Sequence, residues 1–152
     1  QPVANDLRQV ITSMKSSVNI ERIADQAVNI ARRARKLNAH PELPVIHSLE
    51  PMFAHASSMF ADALRAYSDN SAEIARGLKA RDKELDEMNR QFARTCTERM
   101  AGEPDSVRGY LNLIFIARFL ERVGDHATNL GEDIVFAVDA EEIRHTQASR
   151  TD

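Results

Sequence analysis

FLERVGDHATNLG, running from Phe119 to Gly131, has a near copy 100 positions earlier, NIERIADQAVNIA, running from Asn19 to Ala31. The two superpose as Glu21/Glu121, Arg22/Arg122, Asp25/Asp125, Ala27/Ala127 and Asn29/Asn129. Apolar positions match apolar ones at Ile20/Leu120, Ile23/Val123 and Ile30/Leu130, and the register extends upstream through Arg8/Arg108, Ile11/Leu111 and Met14/Ile114. A self-similar segment at a fixed offset is the mark of an internally repeated fold. The repeated unit is a carboxylate pair at i, i+4 followed by an amide at i+8. On a helix these side chains line one face, a turn apart.

Outward from the repeat, the 152 residues suffice for one domain with a real core. Gly and Pro are scarce at five each, aromatics are few, and Ala, Arg, Glu and Leu dominate, which is the composition of a soluble helical protein. A net charge of -3 gives no support for a nucleic-acid partner. The lone Cys96 excludes an intrachain disulfide and fits a reducing compartment. No stretch approaches the roughly 18 apolar residues of a membrane span. The chain opens at Gln1-Pro2 rather than Met, as expected of a fragment or processed chain whose N-terminal part is absent.

Four helical stretches account for most of the sequence, so the expected class is all-α. The first is expected from about Asp6 to Leu37, with Ile20, Ile23, Ala27, Ile30 and Ala34 as its buried stripe. Arg32, Arg33, Arg35 and Lys36 at its end read as complements of the helix dipole, with Asn38 as the cap. A linker, 39–48, carries Pro41 and Pro44. The second helix is expected from Leu49 to Tyr67, with Met52, Met59, Phe60 and Leu64 inward. After a turn at 68–70, Asn70 and Glu73 have capping-box spacing and open a third helix to about Ala101. Gly102 stands at its C′ position. Its stripe is Ile74, Leu78, Leu85, Met88 and Phe92. Pro104 opens the fourth, which runs to about Ala137 with Leu113, Ile116, Leu120, Val123, Ala127, Leu130 and Ile134 inward, before a polar tail, 139–152. The last three helices, joined by short turns, should form one antiparallel three-helix bundle. The first copies the fourth and so reads as the last helix of an incomplete preceding unit. No Gly-rich phosphate loop, GxSxG or strand–helix alternation is present, which disfavours an α/β enzyme.

Glu121 and Asp125 lie roughly 120–160° around the helix from the stripe, at the edge of the core. RDKELDEM in the third helix holds a second i, i+4 pair, Asp82 and Asp86. Antiparallel packing would set the two pairs side by side as an oxygen-rich site suited to Mg, Mn, Ca or oxidised iron. The competing reading is a solvated face neutralised by Arg22 and Arg122. His126 points about 100° away from Asp125 and reads as a packing or outer residue. Cys96 reads as a buried thiol. Glu142 and His145 make one ExxH, whereas a di-iron bundle needs two such units and two further Glu. No nucleophile–base pair is visible, so no catalytic residue is assigned.

ERIADQAVNIA and LERVGDHATNLGE resemble the E(D)xxxD signature helices of the PhoU family. QPVANDLRQVI, RDKELDEMN and the closing EEIRHT resemble further family segments. The resemblance implies a fold of two three-helix units, of which this chain holds the last helix of the first (1–38), the linker (39–48) and the second (49–138). It implies a non-enzymatic negative regulator that couples a phosphate ABC transporter to a sensor histidine kinase at the cytoplasmic face of the membrane. That role is cytoplasmic, with indirect control of transcription, a homo-oligomeric state such as a homodimer, and membrane contact only through partners. It also implies surface metal clusters, iron in particular, with Zn, Mn, Mg or Ca as alternatives. Carried onto this sequence, the first metal site is Asp82, Asp86, Glu121 and Asp125. The second, Glu21 and Asp25, lacks its partner helix. A metal-free helical interaction module remains the alternative.

Overall fold

The computed structural model describes residues 2–148, with side-chain surroundings described for residues 3–4 and 6–140. Four α-helices follow in order: α1 (Pro2–Leu37), α2 (Leu49–Asp69), α3 (Ala72–Met100) and α4 (Val107–Ala148). Short 3-10 turns, Pro44–Ser48 and Pro104–Ser106, precede α2 and α4. No strand occurs among the described residues, so the all-α class holds.

α4 is the central helix. α2, α3 and α4 each touch the other two, and α1 lies along α4. Cross-links give the directions. Arg81 of α3 donates to Ser58 and Asp62 of α2. Arg76 of α3 meets Asp139 of α4. Asn19 and Arg33 of α1 reach Asp133 and Asn112 of α4. α1 and α4, α2 and α3, and α3 and α4 therefore run antiparallel, which leaves α2 parallel to α4.

The bundle core is largely the expected one: Met52 and Met59 from α2, Leu78, Leu85 and Phe92 from α3, and Leu113, Ile116, Leu120, Ala127, Leu130 and Ile134 from α4 are buried. Phe60 is only half-buried and Leu64 is exposed, because α2 packs through Ala56, Ala63 and Ala66. These small residues let the helix axes approach and leave the larger side chains at the rim.

Three boundaries differ from expectation. Asn70 is the left-handed cap of α2 at φ 49°, so it cannot also open α3; Ser71 does so, its Oγ accepting from the Ile74 N–H at 3.3 Å. Gly102 and Asn38 do not take the left-handed conformation, and α3 closes on an Arg99 carbonyl bond instead. α4 continues helical to Ala148, past the expected end near Ala137.

The largest departure is the face α1 presents to α4. Its buried positions are Ser16, Asn19, Ile23 and Gln26, with Ile30 and Leu37 partly buried. Ile20, Ala27 and Ala34 of the expected stripe are exposed. The α1–α4 seam is thus substantially polar, with Asn112 buried on the α4 side and bonded to Arg33. An apolar-stripe reading selects the more hydrophobic side of α1, and that side faces out.

Candidate functional site

The carboxylate face forms where α3 packs closely on α4. Gly124 lies at that crossing. A Cβ there would fall 2.5 Å from Leu85 Cδ2 and 3.4 Å from Asp82 Oδ1. The missing side chain lets α3 seat Leu85 against the α4 backbone, and Asp82, one turn N-terminal to Asp86, is carried up beside α4. The first copy of the repeat has Ala24 where the second has Gly124, and the structure makes Gly124 the position that admits Asp82. Only the neighbouring helix explains this role, and the residue types alone carry no sign of it.

Asp82, Asp86, Glu121 and Asp125 all lie on this seam, each partly buried. Asp82 and Glu121 each come within hydrogen-bonding reach of the Asp125 carboxylate. Burial first, then the charges of Asp125 and Asp86, push the Asp82 carboxyl up to about 6. Burial, then Asp125 and Asp86, push Glu121 up to about 7, with Arg118 acting weakly the other way. A carboxylate crowded by like charge and partly withdrawn from water keeps its proton longer. Asp86 has a partial counter-charge in Arg90 at 2.9 Å, one turn along its own helix.

Arg22 and Arg122 do not act as the acidic face's neutralising partners. Neither makes an ion pair among the described residues; Arg122 lies over the Phe119 ring, 5.8 Å from its centroid. Both instead face His126, whose pKa is lowered by burial and then by Arg22. His126 Nδ1 is buried without a partner, in keeping with a packing residue. Cys96 is a buried thiol pushed up to about 11 by burial. Glu21 and Asp25 are exposed on α1. Among the described residues no group of three or more His, Cys, Asp or Glu stands drawn together as a ready metal cage, at either E(D)xxxD copy. The side chains of Glu142 and His145 lie outside the described residues.

The run at the end of α1 is not purely a dipole complement. Arg35 and Lys36 occupy the last turn. Arg33 turns to α4, donating to Asn112 Oδ1 at 3.2 Å and lying 4.0 Å from the Phe115 ring centroid.

Donor chemistry is the test of whether a metal fits the α3–α4 seam. Four oxygen-only side chains, partly dehydrated and mutually repelling, two of them with carboxyls pushed up to about 6 and about 7, are the groups a hard cation relieves. The seam fits such an ion in kind, and the side chains would have to draw in around it.

The description "PhoU domain" matches residues 1–34 and 49–134. A phosphate-specific transport system accessory protein PhoU homolog from Caulobacter vibrioides is 38% identical over 144 residues, covering 94% of this chain and 63% of the relative. One from Pseudomonas aeruginosa is 33% identical over 151 residues, covering 99% and 62%. The crystal structure of PhoU from Pseudomonas aeruginosa superposes with a TM-score of 0.87 at 33% identity, covering 92% of this chain and 68% of that one. The chain spans about three fifths of the length of these curated relatives.

Proposed function

The chain belongs to the PhoU family, and from that premise we propose that it is the regulatory core of a phosphate-transport accessory protein, acting by binding partners rather than by catalysis. The α3–α4 carboxylate seam is the observation that carries the mechanistic part of this reading. Asp82, Asp86, Glu121 and Asp125 would hold a hard cation, iron being the family's precedent. The cation would supply positive charge that offsets the crowded carboxylates, displaces any proton retained by Asp82 or Glu121 and ties α3 to α4. This chain's own part is to present the carboxylates: Gly124 lets Asp82 in, and Leu85 and Leu120 wall the seam from the core side. No span of this chain is long and apolar enough to cross a membrane among the described residues, which suits contact with membrane proteins from one side. The partners in this reading are a phosphate ABC transporter and a sensor histidine kinase, met from the cytoplasm.

The domain reading rests on the repeat. In the second copy Leu120, Gly124, Ala127, Gly131 and Ile134 are buried, with Gly124 against Leu85 and Gly131 against Leu78 of α3. Their counterparts in the first copy, Ile20, Ala24, Ala27, Ala31 and Ala34, are all exposed. Residues 1–38 are therefore the last helix of a first unit whose two other helices would cover this face, and 49–138 are the second unit. Glu21 and Asp25 would gain their partner carboxylates from such a helix.

Two measurements test the reading separately. Metal analysis of freshly purified protein should find iron or another hard cation, and the combined change Asp82→Asn, Asp86→Asn, Glu121→Gln and Asp125→Asn should abolish it while leaving the helical circular dichroism intact. Protein that takes up no cation would favour the metal-free interaction module, to which Asp86–Arg90 already lends an ordinary ion pair. In the source organism, deleting the parent gene should raise phosphate-starvation reporter output in phosphate-rich medium. Output unchanged under both rich and limiting phosphate would sink the regulatory role whatever the metal result.

A further inference from the structure

Away from the carboxylate seam, the N-terminal half of α1, the C-terminal end of α2 with its cap and the 134–138 stretch of α4 line a cavity of about 260 Å³. That size is near the lower edge of the roughly 300–1,000 Å³ range of small-molecule sites. Its floor is apolar, made by Ile134, Ala137 and Val138 of α4. Its wall is polar: Arg8, Thr12 and Ser13 from α1, Tyr67 and Ser68 from the last turn of α2, and Asn70 from its cap. Asn70 is fixed there by its left-handed backbone, and Ser13 Oγ and Tyr67 OH are hydrogen-bonded across the α1–α2 gap at 2.8 Å.

Arg8 makes this more than a crevice. Its Nη1 is buried and has no hydrogen-bond partner. A guanidinium cannot shed its charge, so burial cannot be relieved by deprotonation as it is for a carboxyl or an imidazole. Among the described residues no Asp or Glu lines the cavity. Asp133 lies on the other side of Arg8, in a smaller neighbouring crevice, but it receives the Asn19 Nδ2–H at 3.5 Å and the charge of Lys15, and makes no ion pair with Arg8. The arrangement is a permanent cation with an unspent donor, a ring of hydroxyls and an amide, no competing carboxylate among the described residues, and an apolar floor.

We propose that this cavity binds a small oxyanion, phosphoryl or carboxylate, with Arg8 as its charge partner and the hydroxyls of Thr12, Ser13 and Ser68 as neutral donors. A short carbon skeleton, where the ligand has one, lies on Ile134, Ala137 and Val138. The ligand bridges α1 to the C-terminal end of α2 and so couples the outer helix to the bundle. The site stands on the geometry of Arg8 and its neighbours, and is independent of the regulatory reading and of the metal.

Isothermal titration of the whole chain with inorganic phosphate, glycerol 3-phosphate and acetate tests it. Saturable one-to-one binding of at least one of them is expected. Binding of the phosphates without acetate assigns a phosphoryl ligand, and the reverse assigns a carboxylate. Arg8→Met should weaken that binding at least about tenfold, the loss expected for a charge-assisted hydrogen bond. The same variant should leave the melting temperature of the unliganded protein unchanged or higher, because it removes an orphaned buried donor. A purely structural arginine would move it down. Ala137→Met fills the floor with Arg8 intact and should abolish binding, which keeps the test decisive if Arg8→Met fails to fold. Arg65→Met, an exposed cation on α2, should bind as the parent does. No saturable heat with any of the three anions would overturn the proposal and leave Arg8 to water. Binding retained in both Arg8→Met and Ala137→Met would overturn it as well, as would vesicles of phosphatidylglycerol binding Arg8-dependently when the three small anions do not.

Discussion

At the scale of single residues, the protonation of the seam is the property most open to measurement. Folding raises Asp82 to about 6 and Glu121 to about 7, above the roughly 4 of an unfolded carboxylate. The stabilising contribution of a raised carboxyl is fully present below its unfolded value and is lost as pH climbs through its folded value. Metal-free protein should therefore lose stability between about pH 4 and pH 7 on account of these two groups. The double change Asp82→Asn with Glu121→Gln should flatten that loss, its advantage over the parent growing with pH in urea titrations. An advantage that is constant across the range would mean that neither carboxyl is perturbed. Two glycines give a paired test. Gly131→Val brings a side chain where a Cβ already meets Leu78 Cδ1 at 2.8 Å and the Ala75 carbonyl oxygen at 3.2 Å, and should cost about 1–3 kcal/mol. Gly77 of α3 has nothing within 4 Å of a Cβ, so Gly77→Ala should stabilise by about 0.5–1 kcal/mol. Equal effects in denaturant unfolding would refute the close α3–α4 approach. The two carboxylate pairs were legible in the sequence because i, i+4 spacing fixes a helix face. The role of Gly124 was not, because it exists only through a residue 39 positions away, Leu85.

At the scale of elements, α2, α3 and α4 were legible because each carries an apolar stripe of helical period, and the structure buries most of it. α1 was legible as a helix but not in its orientation. Its α4-facing side spends Ser16, Asn19 and Gln26 where an apolar reading looks for Ile and Leu. Two of these keep unbonded atoms, Ser16 Oγ and Gln26 Oε1. Such a seam should be the weakest packing in the molecule, since buried polar groups without partners subtract from it. Ile23 is the largest apolar side chain fully buried on the α1 side. Ile23→Ala should cost about 2–4 kcal/mol if α1 is thermodynamically part of the bundle. It should also raise amide exchange in α1 before α2, α3 or α4. Uniform acceleration in all four helices would instead make the chain a single cooperative unit, with α1 no less secure than the rest.

At the scale of the whole molecule, what faces solvent is informative. Val3, Leu7, Val10 and Met14 stand 76%, 59%, 54% and 65% exposed, and Ile20 and Val28 continue the apolar side of α1. The spacing from Val3 to Met14 is 4-3-4, the seam pattern of helix against helix. Contiguous exposed apolar surface of this kind associates unless it is covered. The repeat says what shape of cover suits it, because the equivalent side of α4 is closed by the antiparallel pair α2 and α3. In the isolated chain nothing among the described residues closes it. Purified protein should therefore associate reversibly as its concentration rises in sedimentation velocity runs. Leu7→Lys with Met14→Glu should remove that association. Because both side chains are already in water, the change should move unfolding stability by no more than about 0.5 kcal/mol per site. A parent chain that stays monomeric at every concentration would mean the strip is too narrow to drive contact. A double variant that still associates would place the contact elsewhere, with the exposed Phe53 and Phe136 as the next positions to change.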